Sequence, residues 1–244
     1  MTVSVLIPTL NEADNIAEAI DSVRLAGDCE IIVIDGRSQD ETALLAEKAG
    51  ADCVLQVAPS RGGQLNAGYR QSTGEILLIL HADCRLPPAC LSSCVEQLSH
   101  FPEAIGFFRQ SIRAKGWYYR SIEGGNKRRA NWSKMIYGDQ GMMLYRQRFE
   151  ELGCFPEVPF MEDFLFCRRL SWFQKVVCFP EPLSVSARRW EKKGVFWQTL
   201  SNWNLSALSF LGYHPEQKPE EYPNVRSTNE QSSAVNSPIS SKTH

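Results

Sequence analysis

The sequence predicts an α/β fold: a Rossmann-like, mostly parallel central sheet flanked by helices, followed by a less regular C-terminal subregion. Three observations carry this expectation. Short apolar runs alternate with helical patterns over the first third of the chain, which is the rhythm of βαβ units. The runs are rich in Ile, Val and Leu without polar alternation, as parallel strands covered on both faces require. Acidic side chains fall just beyond those runs, at the edge where open parallel sheets collect their ligands.

Taken in order, the strands are expected at Val3–Ile7, Glu30–Ile34, Cys53–Val57 and Ile76–Leu80. The first helix has Asn11 as its N-cap and Asp14 near the positive end of its dipole. Gly27 follows its last turn, and Ile16, Ala19, Ile20 and Val23 form its buried stripe. A second helix runs over Asp40–Ala49, a third opens near Gly63, and Pro87 and Pro88 open a fourth. Further on, 103–113 and 139–146 read as strands with a Trp- and Tyr-containing helix between them. Residues 214–244 are rich in Pro, Ser, Asn and Glu and read as a disordered tail. One domain over 1–213 is therefore expected, with halves at 1–100 and 101–213.

Composition narrows the class. The chain has 244 residues, 43% hydrophobic, with a net charge of −2, so no general basic field draws it onto nucleic acid. It begins with a strand-like run and shows no signal peptide, so its eight cysteines are expected as thiols in a reducing cytoplasm. Cys84, Cys90 and Cys94 lie close together, but no second pair or neighbouring histidine completes a zinc set. No apolar run reaches the roughly 18–20 residues that cross a bilayer.

Asn11 and Glu12 follow the first strand, Asp35 ends the second, and His81 and Asp83 follow the fourth. Asp35 or Asp83 alone would read equally well as a turn aspartate; together at one sheet edge they point to a site. Neither G-x-G-x-x-G nor G-x-x-x-x-G-K-[ST] is present, which disfavours hydride transfer and P-loop chemistry.

Ser4-Val-Leu-Ile-Pro-Thr-Leu-Asn-Glu12, Ile32-Val-Ile-Asp-Gly-Arg-Ser-Gln-Asp40 and Leu80-His-Ala-Asp83 resemble, in order and spacing, the signatures of family 2 glycosyltransferases with the GT-A fold. The likeness extends through Gly138-Asp-Gln-Gly141, Met161-Glu-Asp163 and Arg188-Arg-Trp190, and so covers roughly residues 3–211. The resemblance implies a nucleotide-diphosphate sugar as donor, with Pro8, Glu12 and Asp35 at its base and ribose. Asn11, Arg61, Asn66 and Ala82 join the donor side, with an arginine at an exposed turn as the equal alternative for Arg61, and 101–213 becomes the acceptor half. Within the family, these motifs resemble a soluble bacterial subgroup associated with arsenosugar biosynthesis and sometimes labelled as carotenoid-acid glycosyltransferases.

The family's Asp-x-Asp, which holds a divalent metal on the diphosphate, reads His81-Ala82-Asp83 here. Asp83 is left as the direct ligand. One carboxylate suffices for Mn²⁺ or Mg²⁺ when the donor's phosphates and water complete the shell, so affinity for metal alone is expected to be poor. His81 either joins the metal, which suits Mn²⁺ better, or bonds the ribose, or is a neutral histidine in a turn.

By resemblance Asp163 is the general base that takes the proton of an acceptor hydroxyl, with Glu162 beside it; two acidic residues capping a helix are the plainer reading. Gly138, Asp139, Gln140, Arg189 and Trp190 fall on the acceptor or diphosphate side, and Arg189 would stabilise the departing diphosphate in an inverting displacement. Gly62 and Gly63 would let the backbone approach the nucleotide closely.

Two alternatives stand beside this reading: a transferase-like protein that binds nucleotide sugar without turnover, and a sugar nucleotidyltransferase. Pro8–Glu12 does not fit the Gly-rich loop of the latter. Arg109, Arg113, Lys115, Arg120 and Lys127-Arg-Arg129 are interleaved with Trp117, Tyr118, Tyr119 and Trp132. They read as a solvated helix face, with a phosphate-bearing acceptor or peripheral contact with an anionic membrane surface as alternatives. Val195–Leu211 reads as a segment that docks on the domain or on a second subunit, which leaves a homodimer open.

Overall fold

The computed structural model describes residues 1–158, 161–170 and 173–188. The expectations for Arg189, Trp190, the 195–211 segment and the 214–244 tail lie outside the described residues.

Four strands, β1 (Val3–Thr9), β2 (Glu30–Asp35), β3 (Cys53–Gln56) and β4 (Ile76–Ile79), form a parallel block in the order β3-β2-β1-β4. The sheet continues through β7 (Met142–Tyr145), β6 (Ile105–Ile112), β8 (Val176–Val185) and the short β5 (Cys84–Arg85). Here β7 is antiparallel to β4 and to β6, β8 is parallel to β6, and β5 is antiparallel to β8. The expected α/β class holds, and the fold is mixed rather than wholly parallel.

The unbroken apolar strands make sense because both sheet faces are covered. Val5, Ile7, Val33 and Leu78 point into one core with Ile16, Ile20 and Val23 of α1 (Ala13–Ala26). Their neighbours Leu6, Ile32, Ile34, Leu77 and Ile79 point into the other, which holds Phe149, Phe155, Phe164 and Phe166. Successive residues alternate faces, so a strand buried on both sides has no place for polar alternation. Helix α3 (Arg61–Gln71) is pressed onto this second face so closely that a Cβ at Gly68 would lie 2.6 Å from Ile34 Cδ1.

Several boundaries differ from expectation. Asn11 is not the cap of α1: it adopts φ 52°, a left-handed conformation that Asn tolerates, and Asp40 Oδ2 instead accepts from Ala13 N–H at 3.2 Å. Helix α2 (Thr42–Lys48) starts two residues after Asp40, whose Oδ1 accepts from Thr42 N–H at 3.0 Å. After the two prolines, α4 (Cys90–Ser99) opens only beyond Ala89, which is left-handed. The expected strand at 139–146 divides into a 3-10 turn (Gly138–Gln140) and β7, while α5 (Trp117–Ser133) fills the predicted helix. Strand β8 was not expected because Pro180 and Pro182 interrupt it; a register shift, Phe108 opposite Phe179 and Arg109 opposite Pro182, accommodates them as a bulge. Helices α6 (Arg146–Glu151) and α7 (Glu162–Cys167) complete the described elements. All eight cysteines are free thiols.

Candidate active site

The carboxyl ends of β1, β2 and β4 open on one edge of the sheet, where the donor residues were expected. Asp35 ends β2 fully buried and is held by protein groups. It accepts from Thr9 Oγ1 at 3.2 Å, from Ser38 N–H at 2.9 Å and from the Ser38 hydroxyl. Gln64, which sequence reasoning passed over, spans the two strand ends by donating to Thr9 O at 2.9 Å and Ile34 O at 2.7 Å. Pro8 lies in β1 opposite Ile34. Asn11 clasps the β2–α2 loop, accepting from Gln39 N–H at 2.9 Å and donating its own N–H to Ser38 Oγ at 2.8 Å.

Glu12 is buried, and its carboxylate is paired with Arg188 at 2.8 and 3.0 Å. Arg188 was quoted in a motif but given no role. The pair ties the β1 loop to the chain immediately after β8, a contact across 176 residues.

Beyond β4, His81, Ala82 and Asp83 are all buried. The Asp83 carbonyl is fixed by Ser186 N–H at 3.1 Å and Arg113 Nη2 at 3.2 Å, and the Ala82 carbonyl by Arg85 Nη1 at 2.9 Å. This turn is therefore anchored through its backbone. Among the described residues no group of three His, Cys, Asp or Glu side chains gathers to hold a metal. The residues of this turn that could hold an ion are His81 and Asp83, and its remaining ligands would have to come from phosphate oxygens and water.

Residues expected on the acceptor side meet this turn directly. A Cβ at Gly138 would stand 2.2 Å from His81 Nε2, so the imidazole packs on the bare backbone of the 3-10 turn. Gly138 N–H in turn donates to Asp163 Oδ2 at 3.0 Å. Beside it Glu162, 2% exposed, forms an ion pair with Arg61 at 3.0 Å. Arg61, His81, Gly138, Glu162 and Asp163 line one cavity with Phe155 at its wall.

Charge in the cavity is unevenly balanced. Burial pushes the Glu162 carboxyl above its ordinary value; Arg61 pulls the other way, and Asp163 adds to the rise. The Arg61 guanidinium is held more firmly protonated by Glu162 first, then by Asp163 and Asp83. One arginine thus stands in the field of three carboxylates, one from the β4 turn and two from α7. Asp163, half-buried at the N-terminal turn of α7, is the more open of the α7 pair.

Other expected residues have contacts within the protein. Asn66 faces the 155–157 loop: Nδ2 donates to Phe155 O at 2.9 Å, and Oδ1 accepts from Phe155 N–H at 3.0 Å. The close approach that Gly62 permits is to protein, since a Cβ there would lie 2.2 Å from Pro156 O. Gln140 is wholly buried and turned toward α5, where its Oε1 accepts from Arg129 Nη2 at 2.8 Å. The Asp139 carbonyl accepts from Gln110 Nε2 at 3.2 Å. Arg129 also stacks 3.8 Å over the Tyr137 ring, so it supports the turn that carries Gly138. It had been grouped with the solvated basic face, where nothing in the pattern set it apart.

Comparison with known proteins completes the picture. The model of glycosyl transferase family 2 matches residues 4–156, more than half of the chain. The chain belongs to glycosyl transferase family 2. A curated relative, the undecaprenyl-phosphate 4-deoxy-4-formamido-L-arabinose transferase of Enterobacter sp. (strain 638), is 29% identical over 158 residues, covering 60% of this chain and 48% of the relative. That of Pseudomonas paraeruginosa is 30% identical over 129 residues, covering 47% and 38%. The chain spans about half the length, or less, of these curated relatives.

Among solved structures, S. aureus TarS in complex with UDP-GlcNAc matches with TM-score 0.62 at 18% identity, over 76% of this chain and 58% of that one. The mannosyltransferase PcManGT from Pyrobaculum calidifontis, in complex with GDP-Man and Mn²⁺, matches with TM-score 0.59 at 22% identity, over 75% and 56%. These likenesses carry the fold: the domain is a GT-A glycosyltransferase domain.

Proposed function

We propose that this domain transfers a sugar, with inversion at the anomeric carbon, from a nucleotide-diphosphate sugar to an acceptor hydroxyl. The observation that carries the proposal is that Arg61, His81, Gly138, Glu162 and Asp163 line one cavity at the carboxyl edge of the sheet, where His81 of the β4 turn packs on Gly138 and Gly138 N–H donates to Asp163. Asp83, two residues beyond His81 in the β4 turn, is assigned to the donor in this reading, and Asp163, which opens α7, to the acceptor. The structural neighbours in complex with UDP-GlcNAc and with GDP-Man and Mn²⁺ support a nucleotide-sugar donor and a divalent metal.

In this reading the base and ribose of the donor lie along the β1 and β2 ends, among Pro8, Asn11, Glu12 and Asp35. Asp83, with His81, would hold a Mn²⁺ or Mg²⁺ ion against the diphosphate. Such an ion, when bound, supplies charge neutralisation to the leaving group. Asp163 takes the proton of the attacking hydroxyl. Its Oδ2 is fixed by Gly138 N–H, which orients the carboxylate without neutralising it. Glu162 and Arg61 form the ion pair that keeps the cavity wall in place. The lost proton passes to Asp163, the glycosidic bond forms from the acceptor oxygen, and the bond to the diphosphate oxygen breaks.

The names of the curated relatives favour a second reading of the acceptor, a lipid-linked phosphate in place of a hydroxyl. A phosphate oxygen already carries charge and has little need of a base, so the two readings separate at one substitution. Asp163→Asn, folded and binding donor normally, is expected to lose roughly 10²–10⁴-fold in transfer to a hydroxyl. Near wild-type transfer would refute Asp163 as base, and product of retained anomeric configuration would refute the inverting displacement.

A further inference from the structure

Helix α5 carries a stripe of exposed residues. Trp117, Ser121, Gly124, Arg128 and Trp132 follow one another at spacings of four, three, four and four, which places them on one side of the helix, and all are exposed. Trp117 is 80% and Trp132 76% exposed, unusual for side chains whose burial is so favourable. About 22 Å of helix separates them. Between them stand Gly124 and Gly125, with nothing within 4 Å of where their Cβ atoms would be. Glycine in an exposed helix interior destabilises it by about 1 kcal/mol relative to alanine, and no packing against the described residues offsets that cost here.

The charge on this face has one sign. Lys115–Lys134 contains six basic residues and a single acidic one, Glu123, in a chain whose net charge is −2. Glu123 is turned inward: its Oε1 accepts from Ile112 N–H at 2.6 Å and pairs with Arg120 at 3.0 Å. Lys127 and Arg128 are exposed, and neither is in an ion pair among the described residues. With Gly124, Arg129, Asn131 and Trp132 they line an open cleft whose described lining contains no carboxylate. The opposite side of α5 is fixed by buried Tyr119 and Ala130 and by the Asn126 and Arg129 hydrogen bonds, so the helix is mounted with its basic, aromatic side outward.

We propose that the outer face of α5 docks on an anionic membrane surface. Two indoles about 22 Å apart suit the boundary between headgroups and acyl chains, and Lys127 and Arg128 meet lipid phosphates. The glycines let the helix backbone lie close to the lipid. This inference stands independently of the proposed sugar transfer.

The test is co-sedimentation of the full chain with vesicles of phosphatidylcholine containing about one third phosphatidylglycerol, against phosphatidylcholine alone. Binding to the anionic vesicles only, weakened by about 1 M salt, is expected. Lys127→Glu/Arg128→Glu should lower the affinity about tenfold or more, and Trp117→Ala should lower it by a smaller factor. All three positions are exposed, so unchanged melting curves establish that the variants are folded. Failure of the wild-type chain to sediment would overturn the proposal, as would undiminished binding by the charge-reversal variant.

Discussion

The two halves of the sheet do different work. In the parallel block β3-β2-β1-β4, the candidate side chains are anchored to neighbouring strand ends and loops: Asp35 by Thr9 and Ser38, Asn11 by the β2–α2 loop. In the mixed block β7-β6-β8-β5 they are placed by contacts that reach back to the first. Glu162 meets Arg61 across 101 residues, and Arg188 meets Glu12 across 176. The candidate site is therefore a seam, and its integrity depends on a few long-range contacts more than on either half alone.

The sharpest break of that seam is Gly138→Ala. A methyl group there would lie 2.2 Å from His81 Nε2, so either the imidazole or the turn must move, and Gly138 N–H moves with it away from Asp163. A displacement of about 1 Å at such a site lowers turnover by about 100-fold, and overpacking destabilises by about 1–3 kcal/mol. Steady-state transfer and thermal melting should show both. Turnover close to wild type would mean that His81 and the 138 turn take no part in positioning Asp163.

Arg188→Met tests the other end of the seam. It leaves Glu12, 3% exposed, with a buried carboxylate that has lost its charged partner. A loss of about 2–3 kcal/mol in chemical denaturation is expected. Restoration by Glu12→Gln in the same chain would attribute the loss to the stranded charge, and no loss would show that the pair is immaterial to the fold.

The same contrast explains what the sequence made legible. The parallel strands were readable because each is buried on both faces and each βα unit is local, so periodicity and turn residues suffice. Strand β8 was not, because Pro180 and Pro182 argue against a strand, and only its long-range pairing with β6 shows how a bulge absorbs them. Asp35, Asp83 and Asp163 were legible as site candidates from their place after strands and from family motifs. Gln64 was not, because it acts by bridging two backbone carbonyls, for which no sequence pattern exists. Arg129 differs from Lys127 and Arg128 only by the side of α5 it occupies, and that is fixed by where Gln140 and Tyr137 lie.

Asn66→Ala separates a structural residue of the first half from a donor contact. Its amide holds both backbone groups of Phe155 at the cavity wall, so about 1–2 kcal/mol of stability should be lost. Nucleotide-sugar affinity, followed by calorimetry on the folded fraction, is expected to stay nearly unchanged. A large loss of affinity at undiminished stability would return Asn66 to the donor side.

The smallest effect concerns the proton on Glu162. Its carboxyl is raised above the ordinary 4.5 because burial outweighs the pull of Arg61. The folded state then binds this proton more tightly than the unfolded chain. The resulting stability is fully present below pH 4.5 and is lost as pH rises through the folded value. In Glu162→Gln that dependence disappears, while the arginine, charged throughout, contributes an offset that does not vary with pH. The difference in melting temperature, wild type minus variant, should therefore fall as pH rises from about 4.5. The slope is the readout and the offset is not. A rising difference would mean that Arg61 holds the Glu162 carboxyl below its ordinary value, and that the pair across the seam is stabilised by charge more than it is penalised by burial.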